Sequence, residues 1–156
     1  MAIKPYAGRW VTKWFPLSSA YYLAKGTFMM GSSGEAVQAS SSAGVRDANI
    51  LGLYMGPAIT TSALTAGTTR IGLLCPVGTV YIEDTATSGA FTSGTVGNSY
   101  GFSSGSATGN FGSTGFTQHI GLANATYNPF VHAKFGASSG ANIFALVGSL
   151  QAGSVT

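Results

Sequence analysis

A chain of 156 residues that is 45% hydrophobic is long enough to bury a core of its own as one domain, which excludes a disordered polar tail. Only 7% of its residues are charged, with a net charge of +3. About a quarter is usual for a soluble domain, so either Ser, Thr and Asn dress the surface or neighbouring subunits cover it, and the composition favours assembly. A single cysteine, Cys75, excludes an internal disulfide and reads as a small buried hydrophobe within IGLLC.

The chain opens on its most distinctive segment. Lys4, Arg9, Lys13 and Lys25 all precede the first acid, Glu35, and both tryptophans lie within RWVTKWF at positions 9–15. Pro5 and Pro16 bracket the segment against helix formation. The opening MAIKPYAGRWVTKW has no uninterrupted apolar core of the kind a secretion signal needs, so synthesis in a cytoplasm is expected. Residues 1–16 read as an N-terminal arm, partly in strand form, that spans roughly 50 Å when extended. Its candidate interface residues are Tyr6, Arg9, Trp10, Lys13, Trp14 and Phe15, because large aromatics and arginine dominate interface energetics. Two other readings stay open: that Trp10 and Trp14 pack into this domain's own core, or that the arm is a platform for single-stranded nucleic acid. Three or four cations are few for the second, and no nucleic-acid partner is expected.

Residues 17–156 read as a single β domain. The 23 glycines are scattered too densely for long helices. SSAYYLAKG, from a Ser18 or Ser19 N-cap to Gly26, is the one helix candidate, and its Tyr21–Tyr22 pair suits a strand equally well. Strands are expected at 27–30 (TFMM), 48–54 (ANILGLY), 69–75 (TRIGLLC), 79–84 (TVYIED), 116–122 (FTQHIGL), 130–135 (FVHAKF) and 142–147 (NIFALV). Val80 and Ile82 share one face, and Ile143, Ala145 and Val147 oppose Phe144 and Leu146. Turns are expected at PVG (76–78) and YNP (127–129). Residues 31–48 form either a hairpin around Ala36–Gln38 or a loop excursion. The Gly/Ser-rich stretch 87–115 carries Phe91, Val96, Tyr100, Phe102 and Phe111, which look like pegs pinning a long ordered loop. The fold class expected is all-β: a single-domain β-barrel or β-sandwich with an extended N-terminal arm and long Gly/Ser-rich loops.

Catalytic chemistry finds little material. GFSSG at 101–105 fits the nucleophile-elbow pattern around Ser103, and His119 and His132 follow, yet no acid does. The two histidines have no clustered partners at metal-ligand spacing. Glu83 and Asp84 are adjacent, which on a strand puts them on opposite faces. No phosphate-binding loop occurs. The glycosylation pattern NAT at 124–126 carries no weight without a secretion signal. No enzyme activity, cofactor, metal or small-molecule substrate is expected.

The runs FPLSSAYYLAKGTFMM, NILGLYMG, IGLLCPVGTVYIEDTA, VGNSYGF and NPFVHAKF together resemble the decoration, or cement, proteins of tailed bacteriophages. The likeness covers roughly residues 15–135 and rests on hydrophobic patterning. This chain has fewer acidic residues than that group usually carries, and its stretch 87–115 is longer. The resemblance implies a β-barrel-like subunit, commonly a homotrimer, on the outer surface of a virion capsid, where it clamps copies of the major capsid protein. It implies no membrane partner. Two alternatives share the composition: a self-assembling filament or tail subunit, and a carbohydrate-binding fibre module using Tyr81, Tyr100 or Tyr127.

Overall fold

The computed structural model describes residues 3–17, 23–32, 34–38, 50–57, 69–85, 87, 91–102, 120–121, 129–136 and 141–147. They form a single-domain all-β fold built on a curled, half-barrel antiparallel sheet. Its strands are β1 (Ile3–Pro16), β2 (Thr27–Ser32), β3 (Glu35–Gln38), β4 (Ile50–Tyr54), β5 (Arg70–Asp84), β6 (Ser99–Phe102), β7 (Ile120–Gly121), β8 (Phe130–Phe135) and β9 (Asn142–Val147). Neighbours run in the order β3-β2-β4-β5-β9-β8-β6-β7, with β1 also on β5.

Strand β5 is the spine. TRIGLLC and TVYIED, expected as two strands about a PVG turn, are one strand of 15 residues. The PVG stretch becomes an irregularity in the ladder, with Gly78 at φ +72°, because β1 pairs along the whole of β5 from Ile3↔Asp84 to Pro16↔Arg70 and bridges the interruption. A strand has two hydrogen-bonding edges, and β1 takes one of them. Strands β4 (Leu53↔Leu74) and β9 (Thr79–Asp84) therefore share the other, end to end. Beyond β1, Leu17 makes a parallel bridge to Ala36 of β3, so the path β3-β2-β4-β5-β1 curls back on itself.

Alternation along β5 separates two hydrophobic cores. The even-numbered Leu74, Val80 and Ile82 face the first, with Ile3, Phe28, Leu53, Phe102, Phe130, Phe144 and Leu146. The odd-numbered Ile71, Leu73 and Cys75 face the second, with Phe15, Leu17, Met29, Leu51 and Tyr54. Strand β4 is buried at every position because it lies between them. The two cores are staggered along β5, so that Val77 and Tyr81 of the odd face, opposite the first core, are partly exposed.

Several local expectations are met and others shifted. FVHAKF and NIFALV are strands at the expected bounds, and Phe144 and Leu146 point into the first core. The β2–β3 hairpin turns at Gly34 (φ +82°), so Ala36–Gln38 lie in a strand and not at the turn. Of the pegs in 87–115, Phe102 is in the core, and Phe91 packs edge-on against Tyr100, His132 and Phe144 at 5.0, 5.1 and 5.3 Å. Val96 is exposed, and Phe111 lies outside the described residues. The helix candidate keeps a turn at Lys25–Gly26, while 18–22 lie outside the described residues.

Candidate functional site

The segment expected as an arm is, over Ile3–Pro16, the 14-residue strand β1, hydrogen-bonded to its own chain. Strand alternation then divides the candidate residues between two faces. Arg9, Lys13 and Phe15 share the odd face of β5, opposite Val77, Leu73 and Ile71. Trp10 and Trp14 share the even face, opposite Pro76 and Gly72. The indoles and the cations of RWVTKWF thus never meet on one surface.

Each residue has a distinct environment. Phe15 is buried in the second core and anchors the strand. Trp10 is half-buried against the first core, and its indole Nε1 is enclosed without a hydrogen-bond partner among the described residues. Trp14, 62% exposed, lies over Gly72, and its carbonyl oxygen accepts from Arg70 Nη2 at 3.1 Å. Lys13 is half-buried and Arg9 exposed. Tyr6, 49% exposed, sits where the ladder slips between Pro5 and Ala7. The slip is followed by Gly8, whose φ of +101° and approach to Val80 Cα (2.8 Å from the position a Cβ would take) leave no room for a side chain.

The odd face beyond the second core carries exposed aromatic and charged groups. Tyr81 pairs with Ala7 and Val77 with Arg9, and both are exposed. Lys134 of β8 reaches across this face to place Nζ 5.1 Å from the centre of the Tyr6 ring, a cation–π contact. Lys4 Nζ lies 3.1 Å from Glu83 Oε1. Five of the seven cations (Lys4, Arg9, Lys13, Arg70 and Lys134) stand on β1, on β5 or against them. Glu83 and Asp84 point to opposite faces, as strand geometry requires. Asp84 is fully buried on the first-core side, where its Oδ2 accepts from the Ile120 amide at 2.7 Å.

Other titratable groups are built into the structure. His132 is fully buried, its Nε2 3.1 Å from Asn142 Oδ1 and its Nδ1 2.9 Å from Thr95 Oγ1. Asn142 Nδ2 donates to Thr87 Oγ1 at 3.0 Å, so the amide bridges the ring and Thr87. The ring thereby ties the turn at Ser93–Thr95 to β8 and β9. Burial pushes the Cys75 thiol up to about 11, against the opposing pull of the Lys13 charge and backbone amide. Among the described residues no three His, Cys, Asp or Glu side chains cluster to hold a metal, and no helix is long and apolar enough to cross a membrane. Ser103, His119 and Tyr127 lie outside the described residues. Tyr100 is half-buried against Phe91.

Sequence reasoning missed Val77, Tyr81 and Lys134 as neighbours of Tyr6 and Arg9. Tyr81 had a signal, since it opposes Val80 and Ile82 in TVYIED. Lys134 had none, because its place depends on a register three strands away from β1. No protein-family model, characterised protein or solved structure matches the chain.

Proposed function

We propose that the protein is a non-enzymatic structural component of a virion, a decoration protein that assembles as a homotrimer on the outer capsid surface and stabilises the major capsid protein. The observation that supports this reading is the β1–β5 ribbon. It exposes Tyr6, Trp14, Val77 and Tyr81 among most of the chain's cations, on strands fixed rigidly by two cores. Exposed aromatics on a rigid, preordered frame bind protein without the ordering penalty of a flexible arm. The edge of β1 is poorly suited to strand addition: Pro5 lacks a donor, the ladder slips at Tyr6–Gly8, and Lys4 and Arg9 flank the irregularity. Docking through the ribbon's faces follows.

The test uses tailed-phage heads assembled without this chain. Purified protein is expected to remain a small soluble oligomer alone, to co-sediment with heads at saturating stoichiometry and to raise their melting temperature. Trp14→Ala combined with Tyr6→Ala is expected to abolish co-sedimentation while leaving the fold intact. Unaided polymerisation would point to the filament or tail reading. Failure to bind any head, with retention on immobilised glycans, would point to the carbohydrate-binding reading.

A further inference from the structure

Beyond the second core, the odd face of the ribbon sets two cations, Arg9 and Lys134, beside exposed aromatic surface. We propose that this surface, formed by Tyr6, Arg9, Val77, Tyr81 and Lys134, is the docking site for an acidic segment of another protein. This deepens the structural-protein reading and rests on it only in taking the partner to be a protein. Arg9 is exposed beside Val77, and Lys134 stands over the Tyr6 ring, so two cations lie beside exposed apolar and aromatic surface. A carboxylate approaching Lys134 meets an ammonium already positioned by the ring beneath it, and the neighbouring tyrosines cover the aliphatic part of an Asp or Glu side chain.

The chain's own inventory argues against a second copy as the occupant. It has four acids. Asp84 is fully buried, Glu83 is 7% exposed and already held by Lys4, Glu35 stands on β3, and Asp47 lies outside the described residues. Two copies meeting face to face would set Arg9 and Lys134 against their own counterparts, and among the described residues no acid stands free on that face to oppose them. Single-stranded nucleic acid fits less well. Stacking needs open ring faces, and the Lys134 ammonium occupies the face of Tyr6, leaving Tyr81 as the open ring of the patch.

The experiment measures binding of the full-length protein to a fluorescent deca-glutamate peptide and to an oligothymidylate of similar charge. Expected results are saturable peptide binding that weakens at least tenfold in Arg9→Glu/Lys134→Glu, weakens comparably as salt rises, and is unchanged in Trp14→Ala on the opposite face. The milder Arg9→Gln/Lys134→Gln variant serves as the same test should the charge reversal impair folding. Absence of peptide binding, binding indifferent to these substitutions, or stronger binding of the oligothymidylate would overturn the proposal. Peptide binding by a protein that ignores capsids would overturn the capsid reading alone. Capsid binding that needs Trp14 but not Arg9 or Lys134 would overturn the acidic-docking proposal alone.

Discussion

Strand β5 passes through two environments while keeping one alternation. Over Ile71–Cys75 its odd side chains are roofed by Phe15, Leu17 and Met29, and its even side chains reach the first core only at Leu74. Over Val77–Tyr81 the coverage reverses: Val80 is enclosed by the first core, and the odd Val77 and Tyr81 are partly exposed, at 38% and 37%. The apolar character of the odd face continues past the end of its core into Val77 and Tyr81. Where the roof stops, residues that would otherwise be interior become surface, and Arg9 and Lys134 gather beside them. Both ends serve folding, the Ile71–Cys75 end through the second core and the other through Val80 and Ile82, and they differ in that the latter leaves Val77 and Tyr81 partly exposed.

Removing a roofed side chain is the strongest test of that division. Leu73→Ala in the second core and Ile82→Ala in the first are each expected to lower unfolding free energy by about 2–5 kcal/mol, since both are fully buried. The two positions are nine residues apart on an extended strand, roughly 30 Å, so their effects should add within about 0.5 kcal/mol. Tyr81→Ala, between Val80 and Ile82 but pointing outward and 37% exposed, is expected to cost about 1 kcal/mol. Urea titrations of the native chain, the three single variants and the Leu73→Ala/Ile82→Ala double variant measure this. A large loss at Tyr81 would show that its face is part of the folding core.

The irregularity between the two ends supplies the next test. Gly8 and Gly78 both have positive φ, but a side chain on Gly8 would meet Val80 whereas one on Gly78 would meet nothing within 4 Å. Gly78→Ala is expected to cost about 1 kcal/mol for backbone strain alone, and Gly8→Ala at least about 2 kcal/mol. Equal losses in thermal unfolding would mean that β1 does not press against β5 at this point.

This irregularity also marks where the sequence stopped being legible. The short strands with clear alternation, FVHAKF and NIFALV, could be read to their ends because local pattern and burial agree there. TVYIED gave its inward face correctly for the same reason. PVG looked like a turn because Pro and Gly are turn formers; only a partner strand 14 residues long overrides that, and pairing between residues 3–16 and 70–84 leaves no local trace. The same pairing lays residues 3–16 of the expected arm along β5, anchored by the buried Ile3 and Phe15. Of the candidate interface residues, period-two alternation alone separates Trp10 and Trp14 from Arg9 and Lys13. The grouping of Tyr6 with Lys134 needed the sheet order.

A smaller effect distinguishes the roofed end by pH. The Cys75 thiol is raised from 9.0 to about 11 by burial, so the folded state holds its proton where the unfolded chain has released it. The stabilisation is complete below about pH 9 and is lost as pH rises toward 11, on the order of 1–2 kcal/mol in all. Unfolding free energies measured at intervals across this window should fall more steeply for the native chain than for Cys75→Ala. The gap between the two proteins therefore narrows as pH rises. Parallel curves would mean that the thiol is not held in the second core.

The smallest expected effect lies at the bare end, in the Lys4–Glu83 pair. Lys4 is exposed and Glu83 nearly covered, with its Oε2 lying 2.9 Å from the position a Cβ on Gly136 would take. Removing the lysine charge leaves a shielded carboxylate without its ammonium partner, which is worse than losing an open surface pair but milder than stranding an ion in the core. Lys4→Met keeps the aliphatic stem along the sheet and removes the charge, and is expected to cost about 0.5–1 kcal/mol at low salt and less as ionic strength rises. The same substitution frees a carboxylate on the face proposed to receive acids, so it should weaken deca-glutamate binding as well. If it left peptide affinity unchanged while lowering stability, Lys4 would be a brace for β1 against β5, and the docking surface would end at Arg9 and Lys134.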